Sequence, residues 1–140
     1  MLTRLFVACC LMAVCVVIHA AGLSWAIRRL RRSTVPAARF WPSTWLFIVV
    51  ATWIVLLHLV EISAWAAVYF SNGAIPDLPS ALYFSAVTYT TTGYGDIVLP
   101  HPWRLDGGVE ALTGILMCGW STGFFFAIVN RLYGPRTTEL

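Results

Sequence analysis

Lysine is absent from this sequence: all nine basic residues are arginine. Charge of either sign is sparse. Asp, Glu, Lys and Arg make up 11% of the 140 residues, against about a quarter in soluble domains. The arginines form no stripe of the kind that tracks phosphates, so nucleic acid is not an expected partner. Cysteine is limited to Cys9, Cys10, Cys15 and Cys118, all in apolar runs, with no CxxC pair and no metal-ligand spacing. They read as small packing residues. No glycine-rich run ends in Gly-Lys-Ser/Thr, which removes a phosphate loop. No nucleophile stands with a paired base, so the chain does not read as an enzyme. No segment repeats, and no cofactor is expected.

What the chain does have is apolar length. Hydrophobic residues reach 59% and mean hydropathy is +0.78, which places the chain in a membrane. Residues 1–27 hold a first span. At ~1.5 Å per residue its apolar run, 5–27, just crosses a hydrocarbon core of ~30 Å. A signal peptide is the alternative, but the run is too long and Ile18 stands where a small residue is wanted. His19 interrupts this span and reads as an interfacial or hydrogen-bonded histidine. Residues 28–43 form an arginine-rich linker carrying Arg28, Arg29, Arg31, Arg32 and Arg39. A voltage sensor spaces arginines every third residue within an apolar helix, and this linker does not. The positive-inside rule makes the linker cytoplasmic, with Trp41 and Trp45 at the interface.

Residues 44–70 hold a second span. His58 and Glu61, three apart, share one helix face. A carboxylate is costly in lipid, so that face looks toward protein or water. A structural hydrogen bond is the plainer reading of the pair; a metal or proton site needs further ligands. A turn-rich break follows, with Asp77 as a helix N-cap and Pro79 in the first turn. The helix expected over 79–90 is too short to span, and so reads as a re-entrant element within a loop covering 71–106. The third span covers 107–131. Glu110 lies near its outer end, where a carboxylate can reach water. Gly119 and Gly123 form a small-xxx-small pair for close helix contact, and Gly119 permits a bend. Residues 132–140, with Arg136, form a short cytoplasmic tail after Arg131. No regulatory domain is read after Leu140. The expected topology is multi-pass in the cell membrane, amino terminus outside and carboxy terminus inside. The fold class is an all-α membrane protein of three spans and a re-entrant helix.

The stretch that organises the rest is Thr91-Thr92-Gly93-Tyr94-Gly95-Asp96. Gly93 and Gly95 reach positive φ cheaply, so that successive carbonyls can face one axis and replace the water around a cation. The preceding helix points its partially negative end at the same place. This hexapeptide closely resembles the potassium-channel signature Thr-Val/Ile-Gly-Tyr/Phe-Gly-Asp. Ala81-Leu82-Tyr83-Phe84-Ser85 and the third span extend the resemblance, and the first span hardly shares it. The chain thus resembles a small bacterial pore-loop potassium channel of the two-transmembrane and two-pore superfamily.

The resemblance implies K⁺ held by the carbonyls of Thr91, Thr92, Gly93 and Tyr94 and by the Thr91 hydroxyl, with Gly95 completing the filter. Asp96, Thr90 and Phe84 would support the filter or its outer mouth, with Tyr94 wedged against the pore helix. Gly119 lies near the family's gating hinge. A carbonyl ring takes four loops, and each chain has one, so a homotetramer is expected, its third spans lining the pore and its second spans outside them. K⁺ is then a permeant ion and not a cofactor. Thr92 departs from the usual valine or isoleucine. Val87 stands where some relatives carry a buried glutamate. One rival reading is a nonconducting membrane subunit that modulates another channel or transporter. Another is an intramembrane enzyme or metal transporter built on His19, His58 and Glu61. His58 with Glu61 is also a place for pH sensitivity.

Overall fold

In hydrocarbon every backbone N–H and C=O must find its partner inside the protein, and a long apolar run does this as a helix. The structure, a computed structural model, describes residues 2–32 and 40–133. Three long helices, α1 (Leu2–Arg32), α2 (Phe40–Ser71) and α4 (Arg104–Tyr133), have 31, 32 and 30 residues. Each extends about 45 Å, more than a ~30 Å core needs. All three regions are long and apolar enough to cross a membrane. Between α2 and α4 lies α3 (Leu78–Tyr89), whose 12 residues reach only about 18 Å. A single 3-10 turn, His101–Trp103, leads into α4. Among the described residues every regular element is helical.

Two boundaries differ from the sequence reading. Arg28, Arg29, Arg31 and Arg32 are not in a loop but on the last turns of α1. Arginine is a good helix former, and cations suit the carbonyl end of a helix. α2 begins at Phe40, so it takes in Trp41, Ser43 and Trp45. Of the linker, residues 33–39, including Arg39, lie outside the described residues, as do Met1 and the tail from 134 onward, including Arg136.

Local chemistry starts and stops the short helix. Asp77 sits at φ −136° and its carboxylate accepts from the Ser80 N–H, with Pro79 in the first turn. At the end of α2, Gly73 turns at φ +69° and the Ala74 N–H bonds back to the Tyr69 carbonyl at 2.9 Å. The helices then stack with α3 between α2 and α4, and α1 across α4 and α2. Arg4 lies 4.3 Å over the Trp103 ring, and Phe47 meets Tyr133 at 6.3 Å. The start of α1 is therefore at the same end as the 3-10 turn that leads into α4, and its arginine-rich end is at the opposite one.

The buried apolar cluster surrounds α3. It joins Ile62, Trp65, Ala66 and Tyr69 of α2, Ala81, Phe84 and Tyr89 of α3, Met117 of α4, and Ala8 and Cys15 of α1. The first span is thus packed into the bundle rather than only lying against lipid. Cys15 alone of the four thiols packs inside; Cys9, Cys10 and Cys118 are exposed and free. The close approach of helices is also not where the glycine spacing placed it. A Cβ on Gly119 or Gly123 meets nothing of its own chain, and α4 runs unbroken through both. Gly114 is the contact instead: a Cβ there would collide with the Tyr89 carbonyl.

A methyl at Gly114 would push α3 off α4, and overpacking of this kind costs about 1–3 kcal/mol. Gly114→Ala is expected to lower the thermal unfolding midpoint of the detergent-solubilised protein. Gly108→Ala, whose Cβ has open space around it, is expected to leave it nearly unchanged.

Candidate functional site

α3 ends at Tyr89, and its last turn is closed by threonines. The Thr90 N–H and hydroxyl both donate to the Ala86 carbonyl, at 3.1 and 2.7 Å. The chain then leaves helical geometry but stays tied to α3. The Thr91 N–H bonds to the Thr88 carbonyl at 2.9 Å, and the Gly93 N–H to the Val87 carbonyl at 3.1 Å. Thr92, the departure from the family pattern, has its hydroxyl 3.0 Å from that of Thr90. The second hydroxyl thus joins the support of the strand.

Every second residue of the strand is left-handed: Thr91 at φ +59°, Gly93 at +53° and Gly95 at +78°. Such alternation lets consecutive peptides present their carbonyls to one side. The glycines enter this region at little cost. Thr91 is β-branched and is strained there, by about 1–3 kcal/mol. The sequence reading assigned positive φ to the glycines and missed Thr91, because no residue type announces a strained threonine. Thr91, Thr92, Gly93, Tyr94 and Gly95 are all exposed on the single chain. The Tyr94 side chain is 71% exposed.

Asp96 closes the strand. The Tyr83 hydroxyl of α3 donates to its Oδ2 at 2.8 Å. This bond favours the ionised form and holds the Asp96 carboxyl below its ordinary value. Phe84 lies on the other side of α3, 8% exposed, with its ring edge-on to Tyr69 at 5.4 Å. It packs α3 onto α2.

Behind α3 are two buried carboxylates. Glu110 does not reach water as its place near a helix end led one to expect; it is fully buried. The Tyr69 hydroxyl donates to Oε2 at 2.8 Å, and Ser85 Oγ is bonded to Oε1. Ser85 Oγ also reaches the Ile62 carbonyl at 2.8 Å. Three contacts therefore share the two hydroxyl hydrogens of Tyr69 and Ser85. The sequence hint that was missed is Ser85, a small polar residue at mid-helix in an apolar run.

Glu61 is the second buried carboxylate, and the pair on one face of α2 gathers residues from every other helix. His19 Nδ1 lies 2.9 Å from Glu61 Oε1 and His58 Nδ1 3.5 Å from Oε2. The Tyr89 hydroxyl donates to Oε2 and lies 3.1 Å from His58 Nδ1. On the far side of both rings, Ser121 Oγ of α4 is 3.0 Å from His19 Nε2 and 3.2 Å from His58 Nε2. Tyr89 is the last residue of α3, so this cluster grips α3 where the segment 91–96 begins.

Residues 55–131, just over half of the chain, match the family model described as ion channel. The chain belongs to the ion channel family. No curated protein and no solved structure matches it. The matched segment holds the second part of α2, all of α3, the strand 91–96 and nearly all of α4. It contains His58, Glu61, Tyr89, Glu110 and Ser121; His19 lies on a helix outside it. With three apolar helices this ion channel chain is a multi-pass membrane protein, and the family points to ion movement rather than catalysis.

Two outcomes follow from the geometry. Glu110→Gln can donate to Ser85 and accept from Tyr69, and is expected to unfold within a few degrees of wild type. Glu110→Ala leaves the buried Tyr69 hydroxyl without its partner, at about 1–3 kcal/mol, and is expected to unfold at visibly lower temperature. For Asp96 the lowered carboxyl means that its bond to Tyr83 is present above its ordinary pKa, near 4, and is lost as pH falls through the lower folded value. Tyr83→Phe is expected to move the Asp96 carboxyl titration, followed by carbon NMR, upward toward that ordinary value.

Proposed function

We propose that the chain is a potassium-selective channel that conducts K⁺ passively through a pore formed by four copies. The observation that carries this reading is the strand after α3, left-handed at Thr91, Gly93 and Gly95 in alternation. The carbonyls of Thr91, Thr92, Gly93 and Tyr94, with the Thr91 hydroxyl, replace the hydration shell of K⁺. One chain offers one such strand, and it stands exposed. A ring of carbonyls takes four, so the homotetramer follows from the reading.

The remaining parts take roles within it. α4 lines the pore below the filter: Leu112, Ile115 and Leu116 of this helix are exposed on the side away from its own bundle. Gly119 lies on the same open side, as a gating hinge would. Asp96 adds negative charge at the outer mouth. Tyr94, exposed here, is covered by the neighbouring copy. The arginine-rich end of α1 lies in the cytoplasm of the cell membrane, and the filter opens outside, with the amino terminus on that side. The hydroxyls of Thr90 and Thr92 form the filter's support in place of the usual apolar residue.

The test is flux. Purified protein in liposomes is expected to pass K⁺ far faster than Na⁺ and to be blocked by barium. Gly93→Ala introduces no clash with its own chain, so it acts on φ alone, where a side chain costs about 1–2 kcal/mol. That variant is expected to assemble as wild type and to lose K⁺ flux. K⁺ flux equal to wild type in Gly93→Ala contradicts the filter assignment, and absence of flux from wild type favours a nonconducting subunit.

A further inference from the structure

The cluster at Glu61 has a shortage that its own atoms do not make good. Five contacts run through it: His19 Nδ1 to Glu61, Tyr89 to Glu61, His58 Nδ1 to Tyr89, and each Nε2 to Ser121. Each contact needs one hydrogen. Two neutral imidazoles, one phenol and one serine bring four. With Glu61 ionised, the set also carries a net negative charge at the centre of a helix bundle. His19 and Glu61 are fully buried, and the His58 side chain is 16% exposed. A buried charge in this setting calls for a partner. The cluster is short of one cation.

We propose that His19, His58 and Glu61 form a binding site for a divalent transition-metal ion of the zinc class. Two imidazoles and a carboxylate are a standard donor set for zinc. The three offer one ligand atom each, all within 4.8 Å of one another. A tetrahedral zinc ion with bonds of about 2.0–2.1 Å places its ligands about 3.3 Å apart. His19 Nδ1 lies 2.9 Å from Glu61 Oε1 and His58 Nδ1 3.5 Å from Oε2, one on either side of that value, so each imidazole faces its own carboxylate oxygen.

The surroundings fit the same assignment. Metal-ligating histidines give their other ring N–H to an outer partner that fixes tautomer and orientation. Ser121 Oγ stands at both Nε2 atoms and has two lone pairs to accept both N–H groups. Both Nδ1 atoms then face Glu61 without hydrogens, as ligands require. On binding, any hydrogen on Nδ1 leaves to solvent and the nitrogen lone pair takes the metal. Tyr89 keeps its bond to Glu61 and orients the carboxylate. The site is made by α1, α2 and α4 together, so it exists only when the first span is docked.

The proposal stands apart from conduction, and its test reads binding directly. Purified protein is titrated with Co²⁺, followed by its visible ligand-field absorption, and the Co²⁺ is then displaced by Zn²⁺. One ion per chain is expected. His19→Gln and His58→Gln are expected to weaken binding at least a hundredfold, with His101→Gln unchanged as a control. Ser121→Ala keeps all three ligands and is expected to weaken binding about 10–100-fold. It serves as the deciding variant should a histidine substitution fail to elute as folded protein. No Co²⁺ spectrum with wild type would overturn the proposal and leave the cluster as a proton-holding network. Binding of equal strength in His19→Gln or Ser121→Ala would overturn it as well.

Discussion

A backbone that leaves the helix inside hydrocarbon must be held by something other than itself. Its N–H and C=O groups have no water to turn to, and irregular chain survives at that depth only against protein or a water-filled space. On the proposed reading the segment 91–96 is such a backbone, with a strained threonine at its start. The rest of the molecule reads as the answer to that constraint. α3 holds the strand through the bonds from Thr91 and Gly93 to its last carbonyls. α3 in turn is held at its middle by Glu110 through Ser85, and at its end by Glu61 through Tyr89. At Gly114 the absence of a side chain lets α4 come against the Tyr89 carbonyl. Val87 of α3 is apolar and carries no carboxylate of its own. Here two carboxylates stand behind that helix on α2 and α4.

The architecture was legible because its signals are long or local. Three apolar runs and the break between the second and third are visible by length alone. Asp77 and Pro79 announce the start of α3 by residue type. Thr-x-Gly-Tyr-Gly-Asp between two spans announces the loop by spacing. What stayed hidden depends on which helix meets which. His19, Glu61 and Ser121 are 42 and 60 positions apart in turn, and no periodicity brings them together. Glu110 looked solvent-bound because it stands fourth in the span expected from 107, ordinarily near water; α4 begins earlier, at Arg104, and the packing of Ser85 and Tyr69 on Glu110 is a tertiary fact. The glycines show the same limit. Gly119 and Gly123 carry the helix-contact spacing, yet Gly114 is the one that Tyr89 touches.

α1 stands out in this account. It lies outside the segment that matches the ion channel family, and sequence alone left it without a role. In the structure it brings Cys15 into the core, Gly22 against Leu57, where a Cβ would overlap the leucine, and His19 onto Glu61. Burying His19 beside a carboxylate is a costly arrangement for a helix that only pads the bundle against lipid. The buried polar contacts instead make the docking of α1 specific, and they reach the pore helix through one tyrosine.

The central claim is that main-chain carbonyls of residues 91–94 from four chains surround a row of ions. A map of the assembled protein in its membrane, with Tl⁺ replacing K⁺ and located by anomalous scattering, tests it most directly. The account predicts Tl⁺ peaks on a fourfold axis, evenly spaced between successive rings of carbonyls from Thr91 to Tyr94. An assembly whose 91–96 strands lie away from any common axis, or an axis without ions beside those carbonyls, would contradict it.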